Sequence, residues 1–467
     1  MSRLREIERQ RFDVIVIGGG IIGCGIARDA ALRGLHVALV EQRDFGGGTT
    51  AASTRIVHGG LRYLEMLDFR LVRMDLRERE TLLRIAPHLV APLEFVIPFF
   101  AGSSFARLKT RAGLMLYDAL SYDRSLPPHR MLNAAQAAAL APALRRSDVR
   151  GAAAYFDARV DLPERLALEN ALDAERHGAA IVNYCEATSI IADNGVAAGV
   201  RVRDGLDGRD AEIRGRVLVN ATGAWVKYGI RKTKGIHIVV PEVTAHALVV
   251  FSAVDRRLMF AIPRGGQTWI GTTDTDYDGD PANARATRAD VEYVLASVRH
   301  VFPQLGLDSV LFTTAGVRAL VKRGGSPSSV SRMHKILEDA PERGVISVLG
   351  GKITGYRAIA EDATDVVCRR LGVNVPCATG RTALTEPPRH DDLAAHAAFA
   401  AAHEHAVRLS DFMRRRTALG ASADQGWNVV REIAAAMGTQ LGWTPAQTTA
   451  EIDAYRREIE STREFGR

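Results

Sequence analysis

The chain is poor in the features that mark several large classes of protein. Its 467 residues hold four cysteines, Cys24, Cys185, Cys368 and Cys377, with no CxxC or metal-ligand spacing. A disulfide scaffold and a zinc module are excluded, and reduced structural thiols are expected. No apolar run reaches the ~18 residues of a membrane span. Met1 to Arg11 is charged and lacks the apolar core of a signal peptide. A cytoplasmic protein is expected, or one attached peripherally to the inner face of the cytoplasmic membrane. There is no low-complexity tract and no internal repeat, so an array is excluded. No basic tract is interleaved with aromatics, and nucleic acid is set aside as a partner. The net charge of +7 and pI near 9.4 then read as solubility, or as attraction to an anionic substrate or anionic membrane surface.

What remains is globular: 47% hydrophobic, 25% charged, and long enough for two or three domains. The most informative stretch is Gly18-Gly-Gly-Ile-Ile-Gly23. An apolar run, Phe12 to Ile17, precedes it and predicts a buried parallel strand. A helix is predicted from Ile21 to Arg33, and a second strand, His36 to Val40, ends in Glu41. Strand, glycine loop, helix, strand and acid form the ~30-residue unit of a dinucleotide fold. Glycines let backbone amides approach a pyrophosphate, the helix N-terminus adds partial positive charge, and Glu41 suits ribose hydroxyls. The alternative is a glycine-rich structural turn. The unit alone does not separate FAD from NAD.

Further strands are predicted at Leu93–Pro98, Ala180–Asn183, Ala198–Val202, Arg216–Asn220 and Gly344–Gly350, with a β-rich block from His237 to Thr273. Helices are predicted at Leu162–Gly178, Ala289–Phe302 and from near Thr354 to Leu371. Pro387-Pro388 marks a linker, beyond which the chain is helical. The fold class is α/β. A Rossmann-like dinucleotide domain (12–92, 150–235 and 340–375) carries an inserted mixed β-sheet substrate domain (93–149 and 236–339), and a helical cap follows (386–467).

The run Ala52-Ser-Thr-Arg-Ile-Val-His-Gly-Gly-Leu-Arg-Tyr-Leu-Glu65 resembles the signature of FAD-dependent glycerol-3-phosphate dehydrogenases. Asn220 to Trp225, Thr233 to Pro241, Ile270 to Asp274, Ala315 to Arg318, Ser331-Arg332 and Gly350 to Thr354 follow in the family's order. The chain is shorter than the family pattern between Trp225 and Thr233, and Gly46-Gly-Gly48 replaces small non-glycine residues. The resemblance implies FAD, oxidation of sn-glycerol 3-phosphate to dihydroxyacetone phosphate, and a quinone acceptor. The rivals are an oxidase using O2, a related amine or 2-hydroxy-acid oxidising flavoprotein, and a flavin-bound sensor or scaffold at a membrane. The oligomeric state stays open, with a homodimer among the options.

By matching position, Arg62, Tyr63, Thr272, Arg332 and Lys352 are expected at the substrate, the cations anchoring its phosphate. Arg318 is expected to polarise the reacting hydroxyl, His237 to accept its proton, and His58 to be the reserve base near the flavin. The cofactor is assigned to Gly18, Gly20, Gly23, Glu41, Thr49, Ser53, Gly60, Gly223 and Gly351. Two decoys are set aside. Asp274-Thr-Asp-Tyr-Asp-Gly279 opens like a calcium loop but has Arg285 where a bidentate Glu is needed. His396 and His403 share a helical face with no third ligand, so no metal is assigned.

Overall fold

The computed structural model describes residues 3–102, 104–144, 148–322 and 333–465. Two sheets dominate among these residues. The first is built on Arg11–Ile17, whose Phe12, Val14, Ile15 and Val16 are fully buried. Val37–Val40 pairs with it on one side and Asp210–Asn220 on the other, both parallel. Ala180–Val182 and Val345–Leu349 extend the sheet outward, again parallel. The strand order reverses beside Arg11–Ile17. In such sheets the crevice at the carboxyl ends, where the loops after Ile17 and Asn220 separate, is the ligand site.

Helix Ile21–Leu32 packs against Pro163–Arg176 and Tyr356–Leu371 over one face of this sheet. Arg28 and Asp173 join two of these helices by a buried ion pair of 2.6 Å. The second sheet is mixed: Ala247–Phe251 runs parallel to Val90–Phe100, and the remaining pairs are antiparallel. One face buries Ile236, Ile238 and Val240 against helix Arg288–Val298, which starts at a Thr287–Asp290 capping box. The opposite face meets the nucleotide loop. A Cβ on Gly316 would lie 2.2 Å from the Ala52 side chain.

Sheet membership departs from the expected division at several strands. Ile56–Val57, and Val149–Val160 from residue 150 on, expected with the dinucleotide domain, hydrogen-bond within the second sheet. Strand Ile230–Pro241 enters that sheet six residues before the expected boundary at 236. Lys335–Glu338, expected in the substrate domain, pairs with Val345–Leu349 in the first sheet. These strands carry similar apolar patterns, and their sheet is chosen by distant partners that local periodicity does not encode.

The C-terminal helices Leu393–His403, Val430–Leu441 and Pro445–Arg463 share a core around Phe412, Met413, Ile433, Met437 and Tyr455. A buried charge cluster fastens them to the nucleotide domain. Asp44 pairs with both Arg415 and Arg416, and Arg165 with Glu404 at 2.7 Å. The two guanidinium groups overcome the burial penalty and pull the Asp44 carboxyl down to about 2. Its stabilising contribution is therefore complete above the unfolded value near ~3.9 and is lost as pH falls toward 2. Asp44→Asn leaves two buried cations undercompensated and should lower stability by about 3–5 kcal/mol. Thermal unfolding at pH 7 checks this, and the gap between variant and wild type should narrow in acid.

Candidate active site

The loop after Ile17 folds as the glycines require. Gly18 has φ +106° and lies against the Ala221 carbonyl. A Cβ on Gly23 would stand 1.8 Å from the Gly18 oxygen, so the first helical turn packs directly on the loop. Glu41 accepts the amides of Gly19 (2.6 Å) and Arg43 (2.9 Å), and burial pushes its carboxyl pKa up. Thr50 Oγ1 accepts the Ile21 amide at 3.1 Å. Sequence reasoning missed Thr50, although it adjoins Thr49. Thr49 itself donates to Val317 O at 2.7 Å, tying this loop to the second sheet. Ser53 Oγ accepts a long bond from the Arg55 amide, 3.4 Å.

Room for a cofactor is visible at two glycines. A Cβ on Gly20 would meet only Thr50 Oγ1, at 3.6 Å, and one on Gly223 would meet nothing within 4 Å. Backbone thus lines both sides of the strand-end crevice, beside a helix N-terminus and a carboxylate. That donor set fits a dinucleotide diphosphate and ribose. A cavity of about 520 Å³ opens on the outer side of the loop, between Thr49, Trp225 and Val317 and the C-terminal residues Arg414 and Tyr455.

Beyond the crevice the predicted substrate residues form two groups. In the first, Arg318 Nη2 donates to Thr272 Oγ1 at 2.7 Å and Nη1 to Thr273 O at 3.0 Å. Asp274 stands behind it at 3.4 Å and also faces Arg257 at 3.2 Å. Gly235 leaves space for the guanidinium, which a Cβ there would approach within 2.1 Å. The acidic run that resembled a calcium loop is thus engaged by arginines, Asp276 pairing with Arg231. Among the described residues no group of three or more His, Cys, Asp or Glu could hold a metal.

In the second group, the Lys352 ammonium lies 4.4 Å from the centre of the buried Tyr63 ring and pairs with Asp75. A Cβ on Gly60 would strike the Tyr63 ring at 2.4 Å. Gly351 has φ +97°, and neighbouring Gly350 sits against Val321, on the strand that carries Arg318. His58 lies beside this second group. Its amide donates to Thr354 Oγ1 (3.1 Å), and its ring meets Phe260 edge-on at 6.2 Å. Phe260 is the register partner of Gly271, next to Thr272. Arg332 and the Arg62 side chain lie outside the described residues.

His237 is 1% exposed, with Nε2 3.1 Å from Thr54 Oγ1 and Nδ1 3.4 Å from Thr314 Oγ1. Burial, reinforced by Arg318 and Arg55, pulls its pKa down to about 3. A proton acceptor titrating near neutrality was expected at this position. Burial thus favours the neutral imidazole, which is bonded to hydroxyls.

A two-sheet fold with a backbone-lined dinucleotide crevice fits the class of FAD-dependent oxidoreductases. The FAD dependent oxidoreductase family matches residues 13–359, and the C-terminal domain of alpha-glycerophosphate oxidase matches residues 373–448. A glycerol-3-phosphate dehydrogenase of Synechocystis is 36% identical over 548 aligned positions, covering 98% of both chains. Glycerol-3-phosphate dehydrogenase 2 of Mycobacterium bovis is 34% identical, covering 98% of this chain and 89% of its own. The solved glycerol-3-phosphate dehydrogenase of Bacillus halodurans, complexed with FAD, superposes with TM-score 0.80 at 28% identity, covering 100% of this chain and 98% of that one. The chain belongs to the FAD-dependent glycerol-3-phosphate dehydrogenase family. The Synechocystis alignment is longer than the 467 residues here, so that relative carries insertions this chain lacks. Residues 226–229 alone connect Gly223–Trp225 to strand Ile230–Pro241.

Proposed function

We propose that this protein oxidises sn-glycerol 3-phosphate at C2 to dihydroxyacetone phosphate and delivers the electrons to a quinone at a membrane surface. Bound FAD would take the hydride and later release both electrons. Gly18, Gly20, Gly23, Glu41, Thr50 and Gly223 are the residues suited to hold it. The observation that carries the reading is the pair of oriented cations at the expected substrate positions, Arg318 on Thr272 and Lys352 over Tyr63, with the His58 amide tied to Thr354 next to the second. Lys352, with Arg62 and Arg332 by family position, anchors the phosphate. Arg318 stabilises alkoxide character at the C2 oxygen. Arginine stays protonated and is a poor base, and His237 is enclosed and bonded to the Thr54 and Thr314 hydroxyls, so we assign the proton to His58. His58→Asn should slow flavin reduction by about 10²–10⁴-fold. His237→Gln should cost far less. The opposite pattern would return the base to His237.

Membrane delivery is supported by helix Ser104–Leu120. It buries Leu114 and Tyr117 but exposes Phe105 (80%), Leu108 (65%) and Met115 (57%) along one opposite stripe. Lys109 and Arg111 flank that stripe, and exposed Leu67 and Tyr122 lie on the adjoining turns. An apolar face edged by cations suits a helix lying in an anionic bilayer interface. No described helix is long and apolar enough to cross a membrane. Phe105→Ser with Leu108→Ser should abolish binding to anionic vesicles while leaving turnover with a soluble dye acceptor intact. Vesicle binding equal to wild type would remove this face from the account.

A further inference from the structure

Lys352 is held from behind by a carboxylate that none of the family blocks contains. Asp75 lies on helix Phe69–Ile85, in the buried stripe with Leu71, Val72, Leu76 and Leu82. Its side chain is fully enclosed, and Oδ2 pairs with the Lys352 ammonium. The neighbouring acids are committed elsewhere. Glu78 takes Arg357 at 2.6 and 2.8 Å, and Asp157 takes Arg79 at 2.7 Å and Tyr117 at 2.9 Å. Oδ1 of Asp75 has no hydrogen-bond partner among the described residues. Lys352 is therefore the cation that compensates Asp75, and swinging it away would strand a buried charge. The Tyr63 ring fixes the ammonium from a second side. Lysine has a flexible four-carbon stem, and ordering it before the substrate arrives removes that entropy from the binding step.

We propose that Asp75 is a positioning residue that holds Lys352 ready for the phosphate of the substrate. The proposal rests on the reading of Lys352 as a phosphate anchor. Steady-state kinetics of the FAD-loaded enzyme with an artificial acceptor test it, using glycerol 3-phosphate and glycerol as substrates. Asp75→Asn should raise KM for glycerol 3-phosphate by about tenfold, with kcat within about threefold and kcat/KM for glycerol unchanged. FAD content should match wild type. In a Lys352→Met background, Asp75→Asn should add no further loss, because the two residues act as one unit. Asp75→Glu, which keeps the charge and displaces it by one methylene, serves if the Asn variant does not fold. It too should raise KM selectively for the phosphorylated substrate, and an unchanged KM overturns the proposal. Equal losses on both substrates, or full additivity with Lys352→Met, also overturn it. A Lys352→Met enzyme with wild-type KM would instead overturn the phosphate role of Lys352 itself. An impaired Lys352→Met beside a normal Asp75→Asn would reject only the role of Asp75.

Discussion

Gly23→Ala is expected to yield a protein that does not retain FAD. The added Cβ would sit 1.8 Å from the Gly18 carbonyl oxygen and 3.4 Å from the Ala221 side chain. No rotamer relieves a clash with backbone. The helix N-terminus and the loop must separate, and the amides that face the crevice lose their aim. Overpacking of this kind costs about 1–3 kcal/mol or more, so FAD affinity should fall by about 100-fold. Flavin absorbance after gel filtration, with far-UV circular dichroism to confirm the fold, measures the outcome. Gly113→Ala is the control: a Cβ there meets nothing within 4 Å, and FAD content should stay at the wild-type level. A Gly23→Ala protein with full flavin content would contradict the assignment of this loop.

Arg318→Met should have the largest effect on chemistry with the flavin still bound. The guanidinium spans Thr272 Oγ1 and Thr273 O, and Asp274 backs it. Removing a donor aimed at developing oxyanion charge costs about 10²–10³-fold in rate. The loss should fall on the rate of flavin reduction more than on KM. Arg318→Lys should recover little, because a point charge on a flexible stem does not reproduce the two-pronged contact. Asp274 keeps Arg257 at 3.2 Å in either variant, which limits collateral loss of stability. Losses confined to KM would place Arg318 with the phosphate anchors instead.

The parts legible in the sequence were those written in local order. The strand–glycine loop–helix–strand–acid unit announced itself through spacing, and the structure builds it from Arg11–Ile17, Ile21–Leu32 and Val37–Val40. Thr272, Arg318, His58 and Lys352 were marked by their motifs, although spacing gave no reason for them to meet. Strand Ile230–Pro241 pairs with both Gln267–Gly271 and Phe312–Val321, which brings the Thr272 and Arg318 segments together, and the His58 amide bonds Thr354, two residues from Lys352. What stayed hidden depends on distance along the chain. Asp75 and Lys352 are separated by 277 residues, and Asp44 and Arg416 by 372. Asp75 did leave one trace, an acid in the apolar stripe of an amphipathic helix, where a charge persists only with a partner. The depressed pKa of His237 was invisible for a similar reason: it follows from complete burial beside two arginines contributed by other segments.

Anaerobic mixing of the purified, FAD-loaded protein with glycerol 3-phosphate, followed through flavin absorbance, tests the central claim most directly. Rapid and complete bleaching is expected with the phosphorylated substrate, together with one equivalent of dihydroxyacetone phosphate per flavin. Glycerol should bleach far more slowly. An oxidised flavin that persists in the presence of saturating glycerol 3-phosphate, or equal bleaching by glycerol, would contradict the account.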